Sequence, residues 1–145
     1  MLFKRASRSS AETIFVVVQN VSGSTATAGY AVGFDVGASV DGVRVTAMDA
    51  TDVQSFAGLV DADIANNAYG LIQVYGYRSS GRIYASTGSS VTGDNLTAVA
   101  HAAHWGLTPA TGLGTSKAFG FLCEAITASS SSQFATTAKV FIRAL

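Results

Sequence analysis

The stretch "NNAYGLIQVYGY", residues 66–77, carries three tyrosines, two glycines and no charge. Read with a period of two, it sets Tyr69, Leu71, Gln73, Tyr75 and Tyr77 on one side of a strand. Gly70, Ile72, Val74, Gly76 and Arg78 fall on the other. The glycine side can admit the close approach of another backbone, and the tyrosine side offers large amphipathic rings for burial against a neighbour. No catalytic group stands beside it.

Working outward, "QSFAGLV" reads as a short strand and "DADIANNAYG" as a loop or a single helical turn. Downstream, "RSSGR" reads as a turn into "RIYAS", which makes a hairpin. Nearer the N-terminus, "ETIFVVVQN" is a β-branched run with Phe15 and Val17 on one face and Ile14, Val16 and Val18 on the other, both suited to burial. "VSGSTATAG" is a loop, after which "YAVGFDV" and "VRVTAM" resume strand character around "GASVDG". In "DNLTAVAHAAHWG", Asp94 can cap a helix with a stripe of Leu96, Val99, Ala100 and Ala103, or "NLTAVA" can be a strand after the turn "TGD". "GLTPATGLGTS" reads as a long loop, "KAFGFLCEAIT" as the strongest late strand, "ASSSSQFATT" as a loop and "AKVFIRAL" as a closing strand. Strands recurring about every ten residues predict an all-β, single-domain β-barrel or β-sandwich with at most one or two short helices.

The chain has 145 residues, enough for one domain that removes roughly two-thirds of its unfolded surface on folding. Charged residues make up only 12% and the formal net charge is zero. No whole-molecule field therefore draws in nucleic acid or an anionic membrane, and a chain so weakly charged tends to associate. The charge is unevenly placed. Lys4, Arg5 and Arg8 make the first eleven residues a basic N-terminal arm (1–11) ahead of the β-rich domain (12–145), whereas six aspartates lie between Asp35 and Asp63 with Arg44 as the one cation. The arm also carries Phe3. "IFVVV" is too short for a secretory signal, and no apolar run approaches the ~20 residues that span a bilayer. A cytoplasmic site of synthesis is expected.

The candidate chemical sites are weak. His101 and His104 could share one helical face with Asp94 or Glu124 as a third metal ligand, but neither H-E-x-x-H nor a cysteine partner is present. Cys123, the single cysteine, alternates with Phe119 and Phe121 in "FGFLCEAI" and reads as a small core-facing residue rather than a nucleophile. "TGLGTSK" lacks phosphate-loop spacing. The aspartates follow no calcium-loop pattern. No catalytic, cofactor-binding or metal site is expected. The residues best suited to work are those of an interface: Tyr69, Tyr75, Tyr77 and Arg78, with Trp105 and the arm residues Phe3, Lys4, Arg5 and Arg8.

The order of the motifs adds to this reading. "N-x-S-G" and "G-Y-x-V" fall within residues 20–32, and "G-x-x-x-x-x-I-x-x-x-x-Y-G-x-x-Q-V-x-G" spans residues 58–76. "G-D-x-L" follows at 93–96 and "G-x-x-x-E-A" at 120–125. This succession resembles the small head-decoration, or cement, proteins of tailed bacteriophages, from about Thr13 onward. The arm and the insert "HAAHWGLTPATGLG" lie outside that pattern. The resemblance implies a homotrimeric structural virion protein, made in the host bacterial cytoplasm. It would bind the outer capsid surface and bridge neighbouring major capsid subunits, without a cofactor, direct nucleic-acid contact or membrane. Other readings are a fibre, tail or vertex component, or a carbohydrate- or surface-binding β module that stacks ligands on Tyr75, Tyr77 and Trp105. An enzyme is not expected.

Overall fold

The computed structural model describes residues 2–4, 12–37, 41–48, 55–85, 90–101, 104–110, 118–127 and 134–144, and of residues 2–4, 85, 98–101, 104–110 and 134–135 the backbone only. Among them are ten strands and no α-helix, so the all-β expectation holds. The strands are β1 (Leu2–Lys4), β2 (Thr13–Asn20), β3 (Ala31–Phe34), β4 (Arg44–Ala47), β5 (Phe56–Val60), β6 (Tyr69–Ala85), β7 (Asn95–His101), β8 (His104–Ala110), β9 (Gly120–Leu122) and β10 (Phe134–Arg143).

They form one sheet in the order β1-β2-β4-β3-β5-β6-β10-β9-β7-β8, which closes on itself twice. The first half of β6 returns to pair with β2, from Gln19↔Tyr69 to Ile14↔Tyr75, closing a ring of β2, β4, β3, β5 and β6. Its second half pairs with β10, and Ile83↔Leu107 brings it to β8, closing a second ring with β9 and β7. The opening stretch is thus the first part of the one strand that both rings share. Closure leaves few free edges, and β1 caps the β2 edge through Leu2↔Phe15, Phe3↔Ile14 and Lys4↔Thr13.

Two apolar clusters fill this architecture. Val18, Val32, Val45, Val60, Ile72 and Val74 are among those that line the first ring. Leu59, Ile83, Leu96, Leu122, Val140 and Ile142 build the second with Ala31, Met48 and Phe56. β3 and β5 feed both clusters, since Ala31 and Leu59 face one while Val32 and Val60 face the other. That is why all of "FAGLV" is buried. Each fully buried Leu, Ile or Val stabilises the fold by about 1.5–3 kcal/mol.

Several expectations need correction, and one open alternative is settled. "RSSGR" is no hairpin turn, because β6 runs unbroken for 17 residues. A side chain at Gly81 would strike Val140 Cγ2 at 2.7 Å and Leu59 Cδ1 at 3.3 Å, so this glycine makes room for the core rather than turning the chain. "NLTAVA" resolves as a strand: β7 and β8 pair from Asn95↔Ala110 to His101↔His104, so the histidines oppose one another across a hairpin instead of sharing a helical face. β8 also takes up the start of the expected loop "GLTPATGLGTS", and β10 begins at Phe134, within the expected loop "ASSSSQFATT". Finally, the strand expected over "KAFGFLCEAIT" ends at Leu122. There the chain bends away at a bulge in β10: Cys123 N–H donates to the Lys139 carbonyl, and Lys139 N–H donates to Glu124 Oε1 at 2.7 Å. Cys123 is accordingly half-buried in a bend, not a core residue in strand alternation. Burial, followed by the neighbouring Glu124, pushes its thiol up.

Candidate interaction surface

The alternation read from residues 69–77 holds except at Gln73, which falls on the tyrosine side yet is buried, its Nε2 donating to the carbonyls of Tyr75 and Tyr77. Ile72 and Val74 are buried inward, while Tyr69 and Tyr77 are 66% and 37% exposed outward. Gly76 takes φ +103°, a conformation L side chains rarely adopt, and a Cβ there would collide with the carbonyl oxygen of Glu12. The expected backbone approach on the glycine side is therefore real at this position, and the chain entering β2 is what approaches.

The register extends the tyrosine side across two more strands. On β10, Val140 and Ile142 enter the core, so Phe141 and Arg143 face outward. Phe141 lies opposite Tyr77, Arg143 opposite Tyr75, and Phe121 of β9 opposite Phe141. The rings interlock. Tyr75 meets Phe141 edge-on at 5.2 Å between centroids and 83° between planes, and Phe141 stacks on Phe121 at 5.1 Å and 9°. Such pairs contribute about 0.5–1.5 kcal/mol each beyond the area they bury. Facing one another, the rings fix a rigid, half-exposed aromatic ridge.

At one end of the ridge Lys139 Nζ lies 3.0 Å from Glu124 Oε2. The hydrogen bond from Lys139 backbone N–H, and then that from its side chain, hold the Glu124 carboxyl below the usual carboxylate range. Lys139 is raised in turn by its hydrogen bond to Glu124 and by the charge of that carboxylate.

The remaining expected interface residues fall elsewhere. Tyr69 stands opposite Gln19 near exposed Val17 and half-buried Leu71, at the far end of the β2–β6 pairing. Arg78 is turned inward with a side chain only 10% exposed, and its guanidinium reaches Asp61 Oδ1 at 3.4 Å and the Asp61 carbonyl at 3.3 Å. Burial lowers its pKa, partly offset by Asp61, which marks it as a strut between β6 and the end of β5. Trp105 lies opposite Ala100 in β8, next to the Leu107–Ile83 contact and towards the other end of β6 from Tyr75 and Tyr77, so the backbone does not gather these three into one platform. Phe3 and Lys4 lie in β1 beside β2, and their side chains, like that of Trp105, are outside the described residues. Arg5 and Arg8 lie outside them altogether. Among the described residues no three His, Cys, Asp or Glu side chains gather as metal ligands, and no helix is long and apolar enough to cross a membrane.

The sequence reading missed Phe121 and Phe141. Alternation in "AKVFIRAL" already turns Phe141 away from Val140 and Ile142, but only the strand register joins it to the tyrosines.

The class these features define is an all-β module whose strands close into two rings around a shared long strand and present an aromatic ridge outward. No family model and no curated protein matches the sequence. Among solved structures the chain is similar to the N base of the head fibre gp8.5 of bacteriophage phi29, with a TM-score of 0.51 and 13% identity over 91% of this chain and 95% of that one. At that identity the likeness is one of fold.

Proposed function

We propose that this chain is a structural component of a bacteriophage virion, mounted on the outside of the head as a fibre-base or related surface module. The observation that carries the proposal is the fold shared with a phage head-fibre base across nearly the whole of both chains. A fold alone hosts many functions, so the surface must agree with it. It does: the ridge of Tyr75, Phe141 and Phe121 is preorganised by its own ring contacts, as an interface that loses little side-chain entropy on docking requires. The partners in this reading are the major capsid protein and further copies of the chain, as a homotrimer, so that several weak contacts act together. Holding surfaces together needs no cofactor and no catalysis.

The order of motifs from "N-x-S-G" to "G-x-x-x-E-A" favours a second reading, a capsid decoration protein that stabilises contacts between neighbouring shell subunits. Virions assembled with and without the chain separate the two. The fibre-base reading expects loss of an external feature from the head with the temperature of head disruption unchanged; the decoration reading expects that temperature to fall. If mass spectrometry finds no copy of the chain in purified virions, both readings are wrong.

A further inference from the structure

Both histidines of the chain stand at one place in the fold. β7 and β8 run antiparallel in a single register from Asn95↔Ala110 to His101↔His104, so the histidines are the last opposed pair of the hairpin. Directly opposed residues of an antiparallel pair share one face of the sheet, with Cβ atoms about 4.5–5.5 Å apart. Helical spacing would set them one turn apart, whereas this register sets them side by side.

This end of the hairpin has little else to hold it. Among the described residues β9 pairs with β7 only at Asn95 and Leu96, and β6 pairs with β8 only at Leu107. The pairs Val99↔Gly106, Ala100↔Trp105 and His101↔His104 lie beyond both. The connection is Ala102 and Ala103, without the glycine or asparagine that two-residue hairpin turns favour. The closing pair, however, is of the residue type that takes a transition metal through a neutral ring nitrogen. Two such nitrogens bound to one ion at about 2.0–2.1 Å sit roughly 3 Å apart, which side chains starting from opposed positions can span. Imidazole with no carboxylate in the pair suits Cu(II), Ni(II) or Zn(II); calcium and magnesium require oxygen ligands.

We propose that His101 and His104 together bind one divalent transition-metal ion, which clips the end of the β7–β8 hairpin. Two protein ligands leave the remaining coordination positions to water. The clip is independent of the virion role.

Titration of the full chain with Cu(II), Ni(II) and Zn(II) tests it, followed by calorimetry and by the fluorescence of Trp105, the single tryptophan and the sequence neighbour of His104. Wild type is expected to bind one ion per chain, Cu(II) more tightly than Ni(II) or Zn(II), with Cu(II) and Ni(II) quenching the tryptophan. His101→Gln and His104→Gln should each weaken binding by about tenfold or more, since a lost ligand costs at least what a lost outer-shell partner does. Saturating Ni(II) should raise the melting temperature of wild type and raise that of either variant less, because an ion held by the folded hairpin stabilises it. Cys123→Ser should bind as wild type does. Equal affinity in wild type and either histidine variant, or binding abolished by Cys123→Ser, overturns the proposal. Electron paramagnetic resonance of the Cu(II)-loaded wild type needs no substitution: two imidazole nitrogens on the ion are expected, and one or none also overturns it.

Discussion

Replacing Gly76 by alanine probes the junction on which both the shared strand and the ridge depend. Two costs can be worked out. The φ of +103° is one an L residue adopts only under strain, at about 1–3 kcal/mol. The added Cβ would collide with the Glu12 carbonyl, and relieving that contact pulls the start of β2 off β6, with a further hydrogen bond or two lost at about 1 kcal/mol each. The sum is about 2–5 kcal/mol, which for a chain of this size lowers the melting temperature by roughly 6–15 °C. Gly23→Ala supplies the comparison, because Gly23 also has positive φ, at +82°, but a Cβ there meets nothing within 4 Å. It should cost only the conformational part, about 1–2 kcal/mol, or roughly 3–6 °C. Circular dichroism melts of the two variants beside wild type decide the matter. If Gly76→Ala loses no more than Gly23→Ala, the chain entering β2 does not press on Gly76 as described.

Further outcomes follow from the polar contacts. Asn20 is fully buried, donates Nδ2 to the carbonyls of Ser24 at 2.7 Å and Ile64 at 2.8 Å, and accepts from Ser22 N–H at 3.0 Å. Asn20→Ala should therefore cost about 2–3 kcal/mol in urea unfolding, and a loss under half that would mean the loops it ties do not need it. Glu124 and Asp41 are both held below their usual values, chiefly by hydrogen bonds from the backbone N–H groups of Lys139 and of Val43 respectively. A depressed carboxyl contributes stability that is present above its unfolded value and is lost as pH falls through its folded one. Stability should thus decline as the pH drops below about 4.5, the usual value for Glu. Glu124→Gln, which keeps an acceptor for Lys139 N–H but no charge, should remove its share of that decline; an unchanged acid profile would show that the contact contributes nothing.

Strand content was legible in the sequence because period-two alternation survives wherever one face is buried, as at residues 14–18 and 140–143. Turns were harder. The glycine in "RSSGR" signals a turn by composition, yet Gly81 answers a packing demand from Val140 and Leu59, residues distant in sequence. The glycine-containing "GLTPATGLGTS" reads as a loop, yet its first five residues lie in β8, paired with β7 from Val99↔Gly106 to Asn95↔Ala110. Asn20 of the "N-x-S-G" motif is a buried hub that also reaches Ile64, a second residue of the motif set, a role no local pattern shows. The ridge was half legible: Tyr75 and Tyr77 stand out in one strand, while Phe121 and Phe141 join them only through a register no local pattern encodes. Arg78 shows the reverse case, a charge in an apparent surface strand that the fold draws inward onto Asp61.

The most direct test of the proposed virion role is an electron cryomicroscopy map of phage particles purified from cells that produce this chain. The proposal predicts density for the two-ring fold on the exterior of the head, with the face bearing Tyr75, Tyr77, Phe121 and Phe141 covered by a neighbouring protein subunit. A head surface without that density, or the fold present with this aromatic face bare to solvent, contradicts it.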